Sequence, residues 1–242
     1  MPGLRSAAYG PAYFRSQGWW RDESLPGWLG RAASQTPDGP AAATRDAAIT
    51  YGDLQNRVDR LAAGLRRLGI GCGDVVAVHL PNGPEFLISW LAINTCGAVM
   101  QTVHLTYGLR EIGSLLRHSG AKAAVALGAG KDPSRAEELL SLRADLPSLR
   151  HVIAVGGSVE GAEEISQLQA GEDAAPGEAR PDEPFLLLYT SGTTSAPKAV
   201  SATCNHFLSN ARLAAGEFAL TCEDRILCLA PYTHLYGLYT LQ

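Results

Sequence analysis

Apolar residues recur at Tyr51, Leu54, Val58, Leu61, Leu65 and Leu68, in alternating steps of three and four. That period lays one apolar stripe along an α-helix. Thr50 stands directly before it with Asp53 three residues on, an approximate capping box, and Gly69 and Gly71 supply the stop. The pattern then changes. Asp74-Val-Val-Ala-Val-His-Leu80 is a β-branched run ending at Pro81, which predicts a buried strand. Helical spacing returns over Glu85–Cys96, and Gly97–Met100 predicts a second strand. Leu109–His118 predicts a third helix, Ala121–Leu127 a strand, Ala136–Leu146 a helix and His151–Val155 a strand. Strands alternating with helices imply right-handed crossovers, hence an α/β fold with a largely parallel β-sheet flanked by helices.

Both ends of this stretch read differently. Residues 1–30 carry Trp19, Trp20 and Trp28 among Gly and Pro, which predicts an irregular N-terminal arm laid over a larger body, because indoles need apolar surface to pack on. The α/β pattern fills 31–166. Residues 167–184 are rich in Gly, Ala, Glu, Asp and Pro, the composition of a linker or long surface loop. A boundary between two structural units is expected there. Phe185–Tyr189 is then a wholly apolar strand that opens a second unit over 185–242.

Composition narrows the function classes. With 242 residues, 46% of them hydrophobic, the chain can bury a sizeable core. A net charge of −4 gives no pull toward nucleic acid or an anionic membrane. The most apolar stretch, Phe86–Met100, holds Asn94 and Gly97 and is too short to span a bilayer. No basic segment followed by an apolar run opens the chain, so no signal peptide is expected. The five Cys show no C-x-x-C pair and no zinc spacing, and most sit among apolar neighbours, the setting of reduced buried thiols. A cytoplasmic location is expected.

The chemistry gathers behind the strand Phe185–Tyr189. Thr190, Ser191, Thr193, Thr194 and Ser195 surround Gly192, and Pro197-Lys198 follow. Such a loop offers backbone N–H groups, hydroxyls and one cation to phosphate oxygens, at the strand end where α/β sheets bind ligands. Gly192 and Lys198 have Walker A separation, but Pro197 and Ala199 stand where that loop needs Gly and Ser or Thr. A P-loop NTPase is therefore disfavoured. A Ser/Thr-rich turn without ligand is the plain alternative. No paired carboxylates, Ser-His-Asp arrangement or metal-ligand spacing stands out, so neither a catalytic residue nor a metal ligand is assigned.

The stretch Tyr189-Thr-Ser-Gly-Thr-Thr-Ser-Ala-Pro-Lys-Ala-Val200 resembles the phosphate-binding signature of the adenylate-forming (AMP-binding) enzymes, Tyr-Thr-Ser-Gly-Thr-Thr-Gly-x-Pro-Lys-Gly-Val. It departs at Ser195 and Ala199, where the family has Gly. Cys204-Asn-His206-Phe-Leu-Ser-Asn210 resembles the helix start that follows this loop, and Pro231-Tyr-Thr-His234-Leu-Tyr-Gly237-Leu238 resembles the family's later Pro-x-x-His-x-x-Gly segment. Thr50–Leu54, Gly73–Val78 and Leu91–Ala98 match its N-terminal landmarks in order, and Arg110–Leu127 is similar to the acyl-CoA synthetase branch.

The resemblance implies the N-terminal portion of the adenylate-forming fold and an ATP-dependent acid–thiol ligase that activates a carboxylate as an acyl-adenylate with release of pyrophosphate. It implies ATP and Mg²⁺, a carboxylic acid substrate, and CoA or a phosphopantetheine arm as acceptor. Thr190, Ser191, Gly192, Thr193 and Thr194 would wrap the phosphates, Ser195 would add a strained backbone or a further hydroxyl, and Lys198 would add charge. His234 and Gly237 would belong to the acyl pocket. His206 reads as a support of the helix start, and His79, His104, His118 and His151 read as structural. The family's downstream metal-binding, ribose-binding and C-terminal segments have no counterpart here. The chain is thus expected to be a fragment of a longer ligase, a half completed by a second chain, or a non-catalytic binding module. The apolar run Tyr232, Leu235, Tyr236, Leu238, Tyr239 and Leu241 is suited to a partner.

Overall fold

The computed structural model describes residues 10–130, 134–171, 180–190 and 198–240. Its N-terminal arm is helical where the sequence predicted irregular chain. Helix α1 (Pro11–Ser16) starts on a proline, and α2 (Leu25–Gln35) carries Pro26 in its first turn, with the Ser24 hydroxyl accepting the Gly27 N–H at 3.2 Å. Proline and a polar cap read as loop composition, but at a first turn they are helix-starting chemistry. Trp20 is buried and stacks on Phe14 at 5.0 Å, while Trp19 stays 45% exposed.

A two-stranded antiparallel ribbon, β1 (Pro40–Ala43) and β2 (Ala48–Thr50), leads into α3 (Tyr51–Arg67). The Thr50 hydroxyl accepts the Asp53 N–H at 3.2 Å, the cap its position predicts. The alternation follows as β3 (Val75–His79), α4 (Pro84–Thr95), β4 (Val99–Thr102), α5 (Leu109–Ser119) and β5 (Ala123–Leu127). Strand β4 begins two residues later than its composition suggests, because Gly97 takes a φ of +75° to end α4. The helix predicted to Leu146 is shorter: α6 (Arg135–Ser141) gives way to a 3₁₀ turn at Arg143–Asp145.

After β6 (His151–Val155), β7 (Glu163–Glu164) and α7 (Ile165–Gln169), the chain reaches β8 (Pro184–Thr190), β9 (Lys198–Thr203), α8 (Cys204–Glu217) and α9 (Leu235–Tyr239). Gln167–Gln169, read as the start of a linker, are the last turn of α7. One sheet of order β7-β6-β5-β3-β4-β8-β9 holds the strands, parallel throughout except for the antiparallel β8–β9 pair. Residues on both sides of 167–184 share it, since β8 pairs with β4 through Met100↔Leu186 and Gln101↔Leu187.

Period two sorts the strand residues to two faces. Val76, Val78, Met100, Val125, Ile153 and Leu186 pack with α3, α4 and the Phe207–Leu208 turn of α8 in one core. Ala77, Ala124, Ala126, Val152 and Ala154 pack with α5 and α6 in the other. Cys96 and Cys204 are buried, and burial pushes both thiols up to about 11, whereas Cys72 and Cys222 are exposed, contrary to the expectation for most cysteines. No helix among the described residues is long and apolar enough to cross a membrane.

Candidate functional site

Strands β8 and β9 form a hairpin whose connecting segment is the stretch expected to bind phosphate. The register sets Leu188 opposite Val200, Tyr189 opposite Ala199 and Thr190 opposite Lys198. Ser191, Gly192, Thr193, Thr194 and Ser195 connect these two ends and lie outside the described residues. Lys198 opens a strand rather than closing a loop, because the backbone pairing with β8 runs on to Thr190↔Lys198. It is exposed and makes no ion pair among the described residues.

Tyr189, one residue before the hairpin's end, is buried and its hydroxyl lies 2.9 Å from His118 Nδ1 at the end of α5. Burial raises the Tyr189 pKa, so the phenol stays protonated. His118 thus anchors the first residue of the motif to a helix on the far side of the sheet.

The second half of the site is the loop 230–234 with α9. Asn82 holds it with both ends of one amide: Nδ2 donates to the Ala230 carbonyl at 2.8 Å, and Oδ1 accepts the Tyr232 N–H at 2.7 Å. Gly237 is required sterically. A Cβ there would stand 2.1 Å from the Pro231 carbonyl oxygen, far inside contact distance. His234 caps α9 by accepting the Tyr236 N–H on Nδ1 at 3.2 Å. With Nδ1 committed as acceptor, the neutral ring carries its proton on Nε2 and offers a donor in a fixed direction.

His104, two residues past β4, joins this loop. Its Nδ1 lies 3.0 Å from the buried Thr233 hydroxyl, its ring stacks on His234 at 6.2 Å, and Tyr107 packs edge-on at 5.1 Å. Burial, and then the neighbouring His234, lower the His104 pKa. The sequence reading set His104 aside as structural. A usable signal was its place just beyond the carboxyl end of a parallel strand; its partners, 129 and more positions away, were invisible to local pattern. Because β4 and β8 are adjacent and parallel, the His104–His234 pair and the Thr190–Lys198 end of the hairpin share one edge of the sheet.

The remaining histidines stand elsewhere. His79 is buried with Nδ1 3.2 Å from the Val103 carbonyl, and burial, then Arg135, lower its pKa to about 4. His151 pairs with Glu163 at 2.7 Å by the far edge strand. His206 sits by the Thr203 end of the hairpin, with Nδ1 3.0 Å from the Thr203 hydroxyl and its ring against Trp20 at 4.9 Å.

The AMP-binding enzyme family model matches residues 29–241. Protein Y of Streptomyces griseus is 36% identical over 220 residues, spanning 89% of this chain and 72% of its own length. The salicyl-AMP ligase / salicyl-S-ArCP synthetase of Mycobacterium tuberculosis is 32% identical over 246 residues, which span 98% of this chain but 42% of that one. Among solved structures, apo MbtA of Mycobacterium smegmatis superposes with a TM-score of 0.85 at 31% identity, covering 99% of this chain and 46% of the other. The chain therefore spans less than half the length of the latter two.

Proposed function

The chain belongs to the AMP-binding enzyme family, and from that membership we propose that it carries the phosphate-binding part of an ATP-dependent acid–thiol ligase. Such a ligase joins a carboxylate to ATP, releases pyrophosphate, and passes the acyl group of the acyl-adenylate to the thiol of CoA or of a carrier protein's phosphopantetheine arm. The observation that carries the reading is the Thr190–Lys198 end of the hairpin. A hydroxyl on β8 and an ammonium without a carboxylate partner among the described residues flank the loop, a donor set that suits an anion with several oxygens. Pyrophosphate leaves with growing negative charge, and donors fixed in advance stabilise it as it departs. We assign this task to Thr190, Lys198 and the intervening Ser191, Gly192, Thr193, Thr194 and Ser195. Mg²⁺ would neutralise the phosphates it accompanies, and no described carboxylate is assigned to it.

His234 and Gly237 are assigned to the acyl side. The acid's oxygens would meet the fixed Nε2–H of His234, with His104 beside it as a second imidazole. A cytoplasmic location belongs to the same proposal, since reduced thiol acceptors persist there. A second reading, one half of a split ligase, is favoured by Phe218, Leu227 and Leu229, which are exposed by 75%, 81% and 86%. Apolar exposure of that extent suits a surface the remainder of the fold would cover.

Calorimetric titration with Mg·ATP tests the main reading. Lys198→Ala should weaken binding by about 1.5–3 kcal/mol, the range for a bond to a charged group. Equal affinity in variant and parent removes Lys198 from the site.

A further inference from the structure

Strand β8 is anchored in the core by Phe185 and Leu186 and pairs with β4 through Met100↔Leu186 and Gln101↔Leu187, whereas β9 is an edge strand whose first four residues are exposed. The Pro184–Thr203 end of the hairpin has further contacts. The Asn205 N–H donates to the Pro181 carbonyl at 3.0 Å, and the Asn205 side chain, 1% exposed, reaches two carboxylates. Nδ2 donates to Asp182 at 2.8 Å and to Asp22 at 2.9 Å, while Oδ1 accepts the Asp22 N–H at 3.1 Å. Arg15 bridges the same two acids, at 2.7 Å to Asp22 and 2.5 Å to Asp182.

A second set of contacts runs along α8. Arg212 pairs with Glu23 at 2.7 Å and donates to the Trp19 carbonyl at 2.6 Å, and Trp20 packs on His206. Asp22 holds a φ of +55°, a left-handed backbone that Asp tolerates at a cost and that Asn205 satisfies from both sides. Exposed ion pairs alone contribute little. The weight of this cluster lies in the buried Asn205 amide, which would be stranded away from water if its partners were lost.

We propose that the N-terminal arm is a clasp that seats the phosphate-loop hairpin, with Arg15, Asp22, Asp182 and Asn205 as positioning residues for the nucleotide phosphates. The inference rests on the phosphate assignment above. Leverage makes it effective. The six residues of β9 span about 20 Å from clasp to loop, so a tilt of about 3° at the Thr203 end moves the Lys198 end by about 1 Å. A misplacement of that size costs up to about a hundredfold where geometry matters.

The test uses the full 242-residue chain. Hydrogen exchange of the Lys198–Thr203 amides, Mg·ATP affinity and the urea midpoint are measured for the parent, Arg15→Ala, Asp182→Ala, Asp182→Asn and Leu139→Ala. Asp182→Ala should speed β9 exchange and weaken binding by about five- to thirtyfold, and Arg15→Ala, which removes only exposed ion pairs, should move both in the same direction by less. Asp182→Asn keeps an acceptor for Asn205 and should recover most of the affinity. Leu139→Ala, in the core beneath α6, should lower stability and leave affinity alone. Unchanged β9 exchange in the arm variants overturns the clasp, as does an affinity that follows stability in all four. Absence of binding by the parent overturns the phosphate assignment and with it the positioning role, while the exchange data still report whether the arm holds the hairpin.

Discussion

His79 is buried and neutral in the folded chain, with its pKa lowered to about 4 from 6.5, chiefly by burial. An unfolded chain therefore binds a proton that the folded chain refuses between these values, and stability must fall as pH drops through that window. The loss approaches an order of magnitude of 3 kcal/mol near pH 4, and His104, lowered for the same reason, adds with the same sign. Urea midpoints between pH 7 and pH 4 check this: His79→Asn, which keeps a donor toward the Val103 carbonyl, should flatten the slope, and an unchanged slope would remove His79 as its source. Gly237 supplies a steric counterpart. Gly237→Ala drives a methyl group into the Pro231 carbonyl and should cost on the order of 2 kcal/mol in urea unfolding, with the 230–234 loop losing exchange protection. Gly237 and His234 were legible in the sequence as members of one short motif. His104 and His118 were not, because each acquires its meaning from a side chain far along the chain, Thr233 in one case and Tyr189 in the other.

Elements were legible where one period ran long enough. The stripe from Tyr51 to Leu68 and the run from Asp74 to Leu80 each gave their element to within one residue at either end. Short elements with one or two apolar contacts escaped. In α7 only Ile165 and Leu168 are buried, so composition spoke for a linker, yet Leu168 sits against Gly64 of α3. A Cβ on Gly64 would lie 2.6 Å from the Leu168 carbonyl oxygen and 2.8 Å from its Cβ, so the two helices touch because that position lacks a side chain. Gly64→Ala, normally favourable inside a helix, should here destabilise by about 1–3 kcal/mol and free the α7 amides to exchange. A stabilised variant would show that α7 is not packed on α3. Strand β9 escaped for a related reason: its pairing with β8 is worth more than its weak alternation Lys-Ala-Val-Ser-Ala-Thr announces.

At the scale of the molecule, alternating strands and helices fixed the class of fold but not the strand order, because β-β adjacency depends on which crossover reaches over which neighbour. Nothing local to Phe185–Tyr189 says that it lies beside β4 rather than at the far edge next to β7. The same scale decides what the surface apolar residues do. Leu227 and Leu229 contribute almost no buried area to this chain, so their hydrophobic transfer energy is not part of its stability. Replacing both with Ser should therefore leave the urea midpoint within about 0.5 kcal/mol of the parent. The same replacement removes two highly exposed apolar side chains and should lower concentration-dependent association, read by sedimentation of parent and variant side by side. If the double variant instead unfolds at markedly lower urea, these leucines are buried in the chain as it stands in solution, and the case for a surface that the rest of a ligase fold covers loses its physical basis.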